Sequence, residues 1–384
     1  MSCPGRQDIF PKQIMPDSDR KCPVYSLNEW DPLEEVVVGT LAGAAAPVYH
    51  KVIDAIAPPD WVETVKAYRG DRFPPELVAA AEKERQEFTH ILRGEGVTVR
   101  EPAEVDFTRI HATPFWQSRG WCAACPRDSV LVIGDELIEA PMSWRARYFE
   151  TMAFRPLLLE YFRSGAKWSA APKPQLLESL YDYDYRAPEP GEPMQYVINE
   201  TEPLFDAADF MRFGKDILAL RSNSCNETGI AWLERHLGPD YRIHRVRSHF
   251  RQPMHLDDHM MPLEEGKLLI SPEYIRRKEL PEFLQYWEIL EAPKPDPIGF
   301  DPFYSEEAIA FFWLNVNVLA LGHNRVIVEA TQTSTIRALK DWGFQPIPCN
   351  FANYISLGGV FHCATIDIRR RHNSSSGARE STGE

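Results

Sequence analysis

The sequence predicts an α/β fold, because β-branched runs alternate with amphipathic helical stretches along the chain and the alternation resumes after each Pro-rich interruption. About five passes can be read. The first opens on a Val-rich run at 35–38 and continues through a helix whose apolar positions Leu77, Ala81, Phe88, Ile91 and Leu92 share a face. Gly94 and Gly96 end that helix, and residues 97–99 return as a strand. The second has a strand at 130–134, a return strand near 137–138 and a helix over 148–162. The third runs from a strand at 216–220 through a helix over 229–237, stopped by Gly238, to a strand at 241–246. The fourth offers a strand at 267–270 and a helix over 283–290. The fifth offers strands at 316–321 and 325–328, a helix over 333–342 and a final strand at 344–348. Pro-rich stretches at 171–174, 187–193 and 292–302 read as surface loops between units. One folded domain over 22–371 is expected, with disordered segments at 1–21 and 372–384.

Composition narrows the function. A formal charge of −14 over 384 residues argues against a general nucleic-acid binder, which needs a positive field. No run approaches the roughly 18 apolar residues of a membrane span, so a soluble protein is expected. The seven cysteines are odd in number and widely spread, with no secretory leader before them; reduced thiols and a cytoplasmic location are expected. Cys122 and Cys125 form a lone CxxC without a second pair, and ordinary thiols are the simpler reading. No Gly-rich phosphate loop of the usual spacings occurs, so no nucleotide dependence is expected.

The segment that points to chemistry is 357–368. Gly358 and Gly359 let backbone and substrate approach closely, and Cys363 stands at the mouth of a strand-like run, which suits a covalent nucleophile. A buried, inert thiol is the alternative. Three upstream motifs carry the groups a nucleophile needs. Asp128 follows Cys125-Pro126-Arg127 at the entrance to a strand, where an Asp commonly caps a turn. Asp206 and Asp209 lie between aromatics at 205–210, where Asp206 could cap a helix. At 255–259, His255, Asp257, Asp258 and His259 crowd five residues, and the spacing admits a zinc or iron site. In an extended segment His255, Asp257 and His259 would share one face and Asp258 the other.

These motifs resemble the arginine-dependent amidinotransferases, the family of glycine and inosamine-phosphate amidinotransferases. The resemblance spans nearly the whole chain: 25–36, Pro126-Arg127-Asp128, 138–142, Gly165-Ala166-Lys167-Trp168 with 171–174, 205–208, Met254-His255-Leu256-Asp257 and 357–370. It implies a five-bladed, pseudo-symmetric α/β propeller of ββαβ modules (the pentein type), no metal and no organic cofactor. It also implies that Cys363 is the nucleophile, His255 the general acid/base, and Asp206 the carboxylate that orients His255. Asp128 and Asp257 match the pair that grips the donor guanidinium, and Arg276 or Arg277 is the candidate for the donor carboxylate. The implied activity moves the amidino group of L-arginine to a primary amine through an amidino-cysteine.

The acceptor side departs from the glycine-specific relatives. After Asp257 those continue with a small residue, Thr and Phe, whereas here Asp258-His259-Met260-Met261 follow; Ala310 and Phe311 stand where they carry serines. His259, Ala310 and Phe311 are therefore acceptor-pocket candidates, and a larger amine is expected, such as an intermediate of a guanidinium-bearing natural product. Glycine is the alternative acceptor, a guanidine hydrolase the alternative reaction, and a metal protein using 255–259 the alternative class. The partners expected are small molecules, not nucleic acid or membrane. Family members are often dimeric, which makes a homodimer the assembly to look for.

Overall fold

The structure is a computed structural model that describes residues 22–298, 315–355, 357 and 359–371. Strand β1 (Leu33–Val38) is followed by α1 (Lys51–Ile56), α2 (Pro59–Tyr68), α3 (Pro75–Gly94) and β2 (Thr98–Arg100). A small ladder, β3 (Ile110–Ala112) and β4 (Gln117–Arg119), precedes β5 (Val130–Ile133), β6 (Glu136–Glu139), α4 (Thr151–Arg163) and β7 (Lys167–Ala170). Then come β8 (Phe210–Phe213), β9 (Asp216–Leu220), α5 (Glu227–Leu237) and β10 (Arg242–Val246). The remainder is β11 (Met260–Glu264), β12 (Lys267–Ile270), β13 (Glu288–Glu291), β14 (Leu319–Gly322), β15 (Arg325–Glu329), α6 (Thr333–Asp341), β16 (Gln345–Cys349), α7 (Ala352–Ile355) and β17 (Thr365–Arg370).

Among the described residues these strands form five three-stranded sheets plus the small ladder. Each three-stranded sheet joins an antiparallel pair to a parallel strand, as in β5–β6 followed by β6–β7. Four of the parallel partners are reached through a helix, as a parallel connection requires a crossover. The first sheet draws on both ends of the described chain: β17 pairs antiparallel with β1, and β1 parallel with β2. Strand β5 is buried at all four positions and reads as a continuous apolar run.

Local chemistry explains most boundaries. Pro75 opens α3 at a position where a missing N–H costs nothing. Asn226 caps α5, its side chain accepting from the Gly229 N–H at 2.8 Å. The fourth unit differs from the helix expected over 283–290: the connection is two 3₁₀ turns, Arg277–Glu279 and Glu282–Leu284, and then β13. Ile289 and Leu290 pair with Leu268 and Leu269 in a parallel ladder, and that pairing prevails over a short helical periodicity. In the fifth unit the strand expected over 316–321 begins only at Leu319. Strands β8 and β11 escaped the sequence reading because they are built on Phe, Met and Pro, not on β-branched residues.

A buried aromatic group fixes the region before β17. Phe361 packs against Phe88 of α3 and against Phe351, with ring centroids 5.2 and 4.5 Å away. Glu84 of α3 accepts from the Tyr354 N–H and from Asn353 Nδ2, and Tyr354 Oη donates to the Ala124 carbonyl at 2.7 Å. The loop ahead of β17 is thereby held to α3 and to the 122–125 segment. The expectations for 1–21 and 372–384 lie outside the described residues.

Candidate active site

Cys363 sits in the turn that enters β17, 2 % exposed. Its Sγ accepts a hydrogen bond from Asn317 Nδ2 at 3.0 Å and donates to Asp257 Oδ2 at 3.4 Å. Asn317 Oδ1 also accepts from the backbone N–H groups of His362 and Cys363, so one amide clamps both the sulfur and its backbone. Gly359 matters through space: a Cβ there would lie 2.5 Å from the Cys363 Cβ and 2.9 Å from Cys125 Sγ. The close approach expected of the glycine pair is real at this position; Gly358 lies outside the described residues.

His255 is reached from a turn. Its φ of 49° puts a non-glycine residue in the left-handed region, a strain that clusters at functional sites. The backbone turns over 257–259, so the shared face that an extended segment would give His255, Asp257 and His259 does not form. The Leu256 N–H donates to the Ala208 carbonyl at 2.9 Å, tying this turn to the one bearing Asp206. His255 Nε2 lies 3.1 Å from Asp206 Oδ2, and its Nδ1 lies 3.5 Å from Asp128 Oδ1. Neither carboxylate acts as a mere turn cap. Arg147 Nη1 donates to Asp128 Oδ2 at 2.8 Å and to Asp206 Oδ2 at 3.4 Å, while its remaining nitrogens grip Glu150. Asp209 accepts from the Asp206 N–H and from the hydroxyls of Ser222 and Ser224.

Asp257 is held from behind. Its Oδ2 lies 2.7 Å from His362 Nδ1, and His362 Nε2 lies 3.2 Å from Glu29 Oε2. Glu29 takes a two-nitrogen grip from Arg212, which also reaches Asp367 at 2.9 Å. Arg127 donates to Asp367 at 2.7 Å and to the His362 carbonyl at 3.3 Å. An oxygen on each gripping candidate, Asp128 Oδ1 and Asp257 Oδ1, is buried without a hydrogen bond. Buried acceptors normally find partners, so two orphans in one cluster mark a place for donors.

Burial is the largest influence on the Cys363 thiol and raises its pKa well above the ordinary value, with Asp257, Asp258 and Asp128 pushing the same way. His255 is not among the leading influences on this thiol, whose neighbours are carboxylates, and among the described residues no hydrogen bond joins the two side chains. Burial works against the His255 imidazolium, but Asp128, Asp206 and Asp209 outweigh it and lift its pKa to about 10. Burial raises Asp128, with His255 and Arg147 opposing, and takes Asp209 and Glu150 up to about 7 each. For Asp257 burial is overcome by His362, and its pKa is lowered. Such an arrangement can hold a planar cation between carboxylates beside a sulfur and a protonated imidazole.

The structure brings Cys363, His255, Asp206, Asp128 and Asp257 into one cluster, and it leaves other candidates out of it. Arg276 and Arg277 are exposed; Arg276 pairs with Glu279 at 3.8 Å and Arg277 donates to the Trp287 carbonyl, and neither bonds to the cluster. His259 turns away to Phe250 and Tyr274. Ala310 and Phe311 lie outside the described residues. Cys122 and Cys125 are buried free thiols. One donor atom each from His255, Asp257 and Asp258 falls within 4.8 Å, a spacing a metal could use. The donor chemistry does not fit one, because the carboxylates around His255 hold a proton on the nitrogen a metal would need.

Asn317, His362 and Arg147 join the site without having been singled out. His362 adjoins Cys363 in sequence, and Asn317 ends a polar pair set in an apolar run, 315–321; those were the available signals. Asp258, noted in the 255–259 motif, lies beside His255 and Asp257.

No family model matches the chain. It is 46% identical over 349 residues to an L-arginine:L-lysine amidinotransferase of Pseudomonas savastanoi pv. phaseolicola, covering 91% of this chain and 95% of that protein. It is 42% identical over 360 residues to the mitochondrial glycine amidinotransferase of Xenopus tropicalis, covering 92% and 84%. Among solved structures it superposes on SxtG, an amidinotransferase from Microseira wollei in the saxitoxin biosynthetic pathway. The TM-score is 0.86 at 48% identity, over 92% of this chain and 99% of that one. A dimethylarginine dimethylaminohydrolase at 16% identity, covering 87% of this chain and 99% of that one with a TM-score of 0.53, shares the α/β pentein fold alone. With this identity sustained over nine-tenths of its length, the chain belongs to the amidinotransferases, enzymes that transfer amidino groups.

Proposed function

We propose that this enzyme takes the amidino group of L-arginine onto Cys363 and passes it to a primary amine larger than glycine. The observation that carries the reading is the pair of orphaned carboxylate oxygens, Asp128 Oδ1 and Asp257 Oδ1, in the cluster that holds the Cys363 sulfur and the His255 imidazole. A guanidinium is a planar fork of donors, and two carboxylates fix it with its central carbon facing the sulfur.

The donor itself ionises the nucleophile. Carboxylates hold Cys363 as a thiol, so the arriving guanidinium supplies the positive charge that lets the proton leave, with Asp257 Oδ2 the nearest acceptor. The sulfur attacks the guanidinium carbon and forms a C–S bond. The bond from that carbon to the ornithine nitrogen then breaks, and His255 gives its proton to the departing amine. Neutral His255, oriented by Asp206, next removes a proton from the incoming amine as that nitrogen attacks the same carbon. The C–S bond breaks, and the released thiolate takes back from Asp257 the proton it gave up, restoring the resting thiol. Positioned acid–base help of this kind is worth about 10²–10⁴-fold.

The larger acceptor is supported by relatives named for lysine transfer and saxitoxin biosynthesis at 46% and 48% identity, and by Asp258 beside His255 and Asp257. Glycine, the acceptor named in a relative at 42% identity, is the second reading. In this proposal the five three-stranded sheets are the blades of a five-bladed propeller forming one domain over 22–371, and the enzyme works in the cytoplasm on small molecules. Incubation with arginine alone and then with an amine panel tests the reading. Ornithine released in bulk only with added amine, and parallel double-reciprocal lines, are expected; citrulline would make the protein a hydrolase.

A further inference from the structure

Asp258 is a carboxylate that the transfer cycle does not use. Its Oδ1 accepts from Asn317 Nδ2 at 2.9 Å, the same nitrogen that donates to Cys363 Sγ. One of its oxygens also stands within 4.8 Å of donor atoms on His255 and Asp257. Asp258 faces a narrow cleft lined further by Phe250, Gln252, His259 and Tyr274. His259 is 1 % exposed; the His255 backbone lies near its ring, and neither ring nitrogen makes a hydrogen bond of good geometry. Leaving both unpaired is costly in an interior, and nitrogens facing a cleft point to a polar ligand there. The Phe250 and Tyr274 rings stack at 4.5 Å, with the His259 ring 5.2 Å from Tyr274.

The lining has a defined chemical preference. Besides Ile56 and Met254 it contains an imidazole, two aromatic faces and the Asp258 carboxyl, and the described residues that line it include neither Lys nor Arg. Burial and Asp257 raise the pKa of that carboxyl, and an arriving cation favours its ionised form. An ammonium group is recognised by carboxylates, neutral imidazole and ring faces together. Burial drives the His259 pKa down to about 4, so the ring is neutral near pH 7 and does not repel a cation. A carboxylate on the far end of an acceptor would meet no cationic partner in this lining.

We propose that Asp258, His259 and the Phe250–Tyr274 pair form an acceptor subsite for a second ammonium group, so that the enzyme takes diamines. The far nitrogen seats at Asp258 while the near one attacks the amidino carbon on Cys363. Because the sulfur and the Asp258 oxygen share one amide nitrogen at 3.0 and 2.9 Å, the two amines are separated by only a few methylenes. This subsite rests on the transferase reading above. The test compares a four-carbon diamine with butylamine and glycine at saturating arginine, following ornithine release. The diamine is expected to exceed butylamine in kcat/KM by about 10–100-fold, the range of a charge-assisted hydrogen bond. In Asp258→Asn, which keeps an acceptor for Asn317, the ratio is expected to fall toward one. His259→Leu, which removes two orphaned nitrogens from the interior, lowers the same ratio with Asp258 intact. Equal efficiency for diamine and butylamine in the unaltered enzyme, or a ratio that survives Asp258→Asn, would overturn the subsite alone. No ornithine with any amine would overturn the transferase reading itself.

Discussion

Around Glu29 and Asp367 the buried acids are outnumbered by Arg127, Arg212 and Arg370, whereas around Cys363 the acids Asp128, Glu150, Asp206, Asp209, Asp257 and Asp258 face chiefly Arg147 and His255 among the described residues, with His362 on Asp257. The two regions share a depth of burial and differ in what that burial does. In the first, burial disfavours ionisation of Glu29 and Asp367, but the arginines prevail and hold both well below the usual carboxylate range. In the second, burial wins: Asp128, Asp209, Glu150 and Asp258 are all raised. In the first cluster the acids are charge-compensated by their arginines, although Arg370 Nη2 is left without a hydrogen bond. The second is short of positive charge, which in the proposed cycle the arginine guanidinium supplies. His362 joins them, with Glu29 on one nitrogen and Asp257 on the other.

The largest expected effect comes from removing the sulfur. Cys363→Ala is expected to lose transfer by more than about 10⁴-fold while folding normally; in the unaltered enzyme, arginine alone leaves one amidino group on Cys363, read by mass spectrometry of the peptide. Turnover that persists in Cys363→Ala would end the covalent scheme. Next, Arg212→Met strips Glu29 and Asp367 of a shared partner and is expected to destabilise the fold by about 3–5 kcal/mol, measured by denaturant unfolding. A smaller loss would mean the compensated cluster is less interdependent than its geometry implies.

Asp128→Asn tests the anionic cluster, since Asp128 is the leading upward influence on His255. Expected outcomes are a His255 pKa at least about one unit below its value near 10, read by imidazole NMR, and faster alkylation of Cys363 in the absence of arginine. Slower alkylation would contradict the view that carboxylates keep the sulfur protonated. The smallest effect belongs to the bridge. His362→Gln loosens Asp257 and is expected to raise KM for arginine about tenfold, the scale of one lost hydrogen bond to a charged group. A pH series gives a further check. His255 has a folded pKa near 10 against an ordinary 6.5, so its imidazolium stabilises the fold fully below about 6.5 and that contribution is lost as pH rises to about 10. In His255→Gln this alkaline decline in unfolding midpoint is expected to disappear.

Periodicity revealed the units whose strands are rich in Val, Ile and Leu, such as β5 and β12, because burial on both faces writes a continuous apolar run. It failed where partner strands decide the conformation, as at β13 and in the Phe- and Met-bearing β8 and β11. The resemblance marked Cys363, His255, Asp206, Asp128 and Asp257, and the fold sets them side by side. Asn317, Arg147 and Glu29 act through contacts across long chain separations, which a single sequence leaves unwritten. The faces of Asp257 and Asp258 could not be read from alternation, because a left-handed His255 breaks the two-residue period of a strand.

The antiparallel pairing of β1 with β17 sets the order in which this enzyme becomes competent during synthesis. A ribosome-held chain that has not yet released Thr365–Arg370 leaves one side of Leu33–Val38 as an open edge, available to another copy. The same stretch anchors the turn carrying the sulfur and supplies Asp367 to Arg127 and Arg212. The other described strands can therefore be in place before β17, whose arrival covers the β1 edge and sets Cys363 beside Asn317 and Asp257.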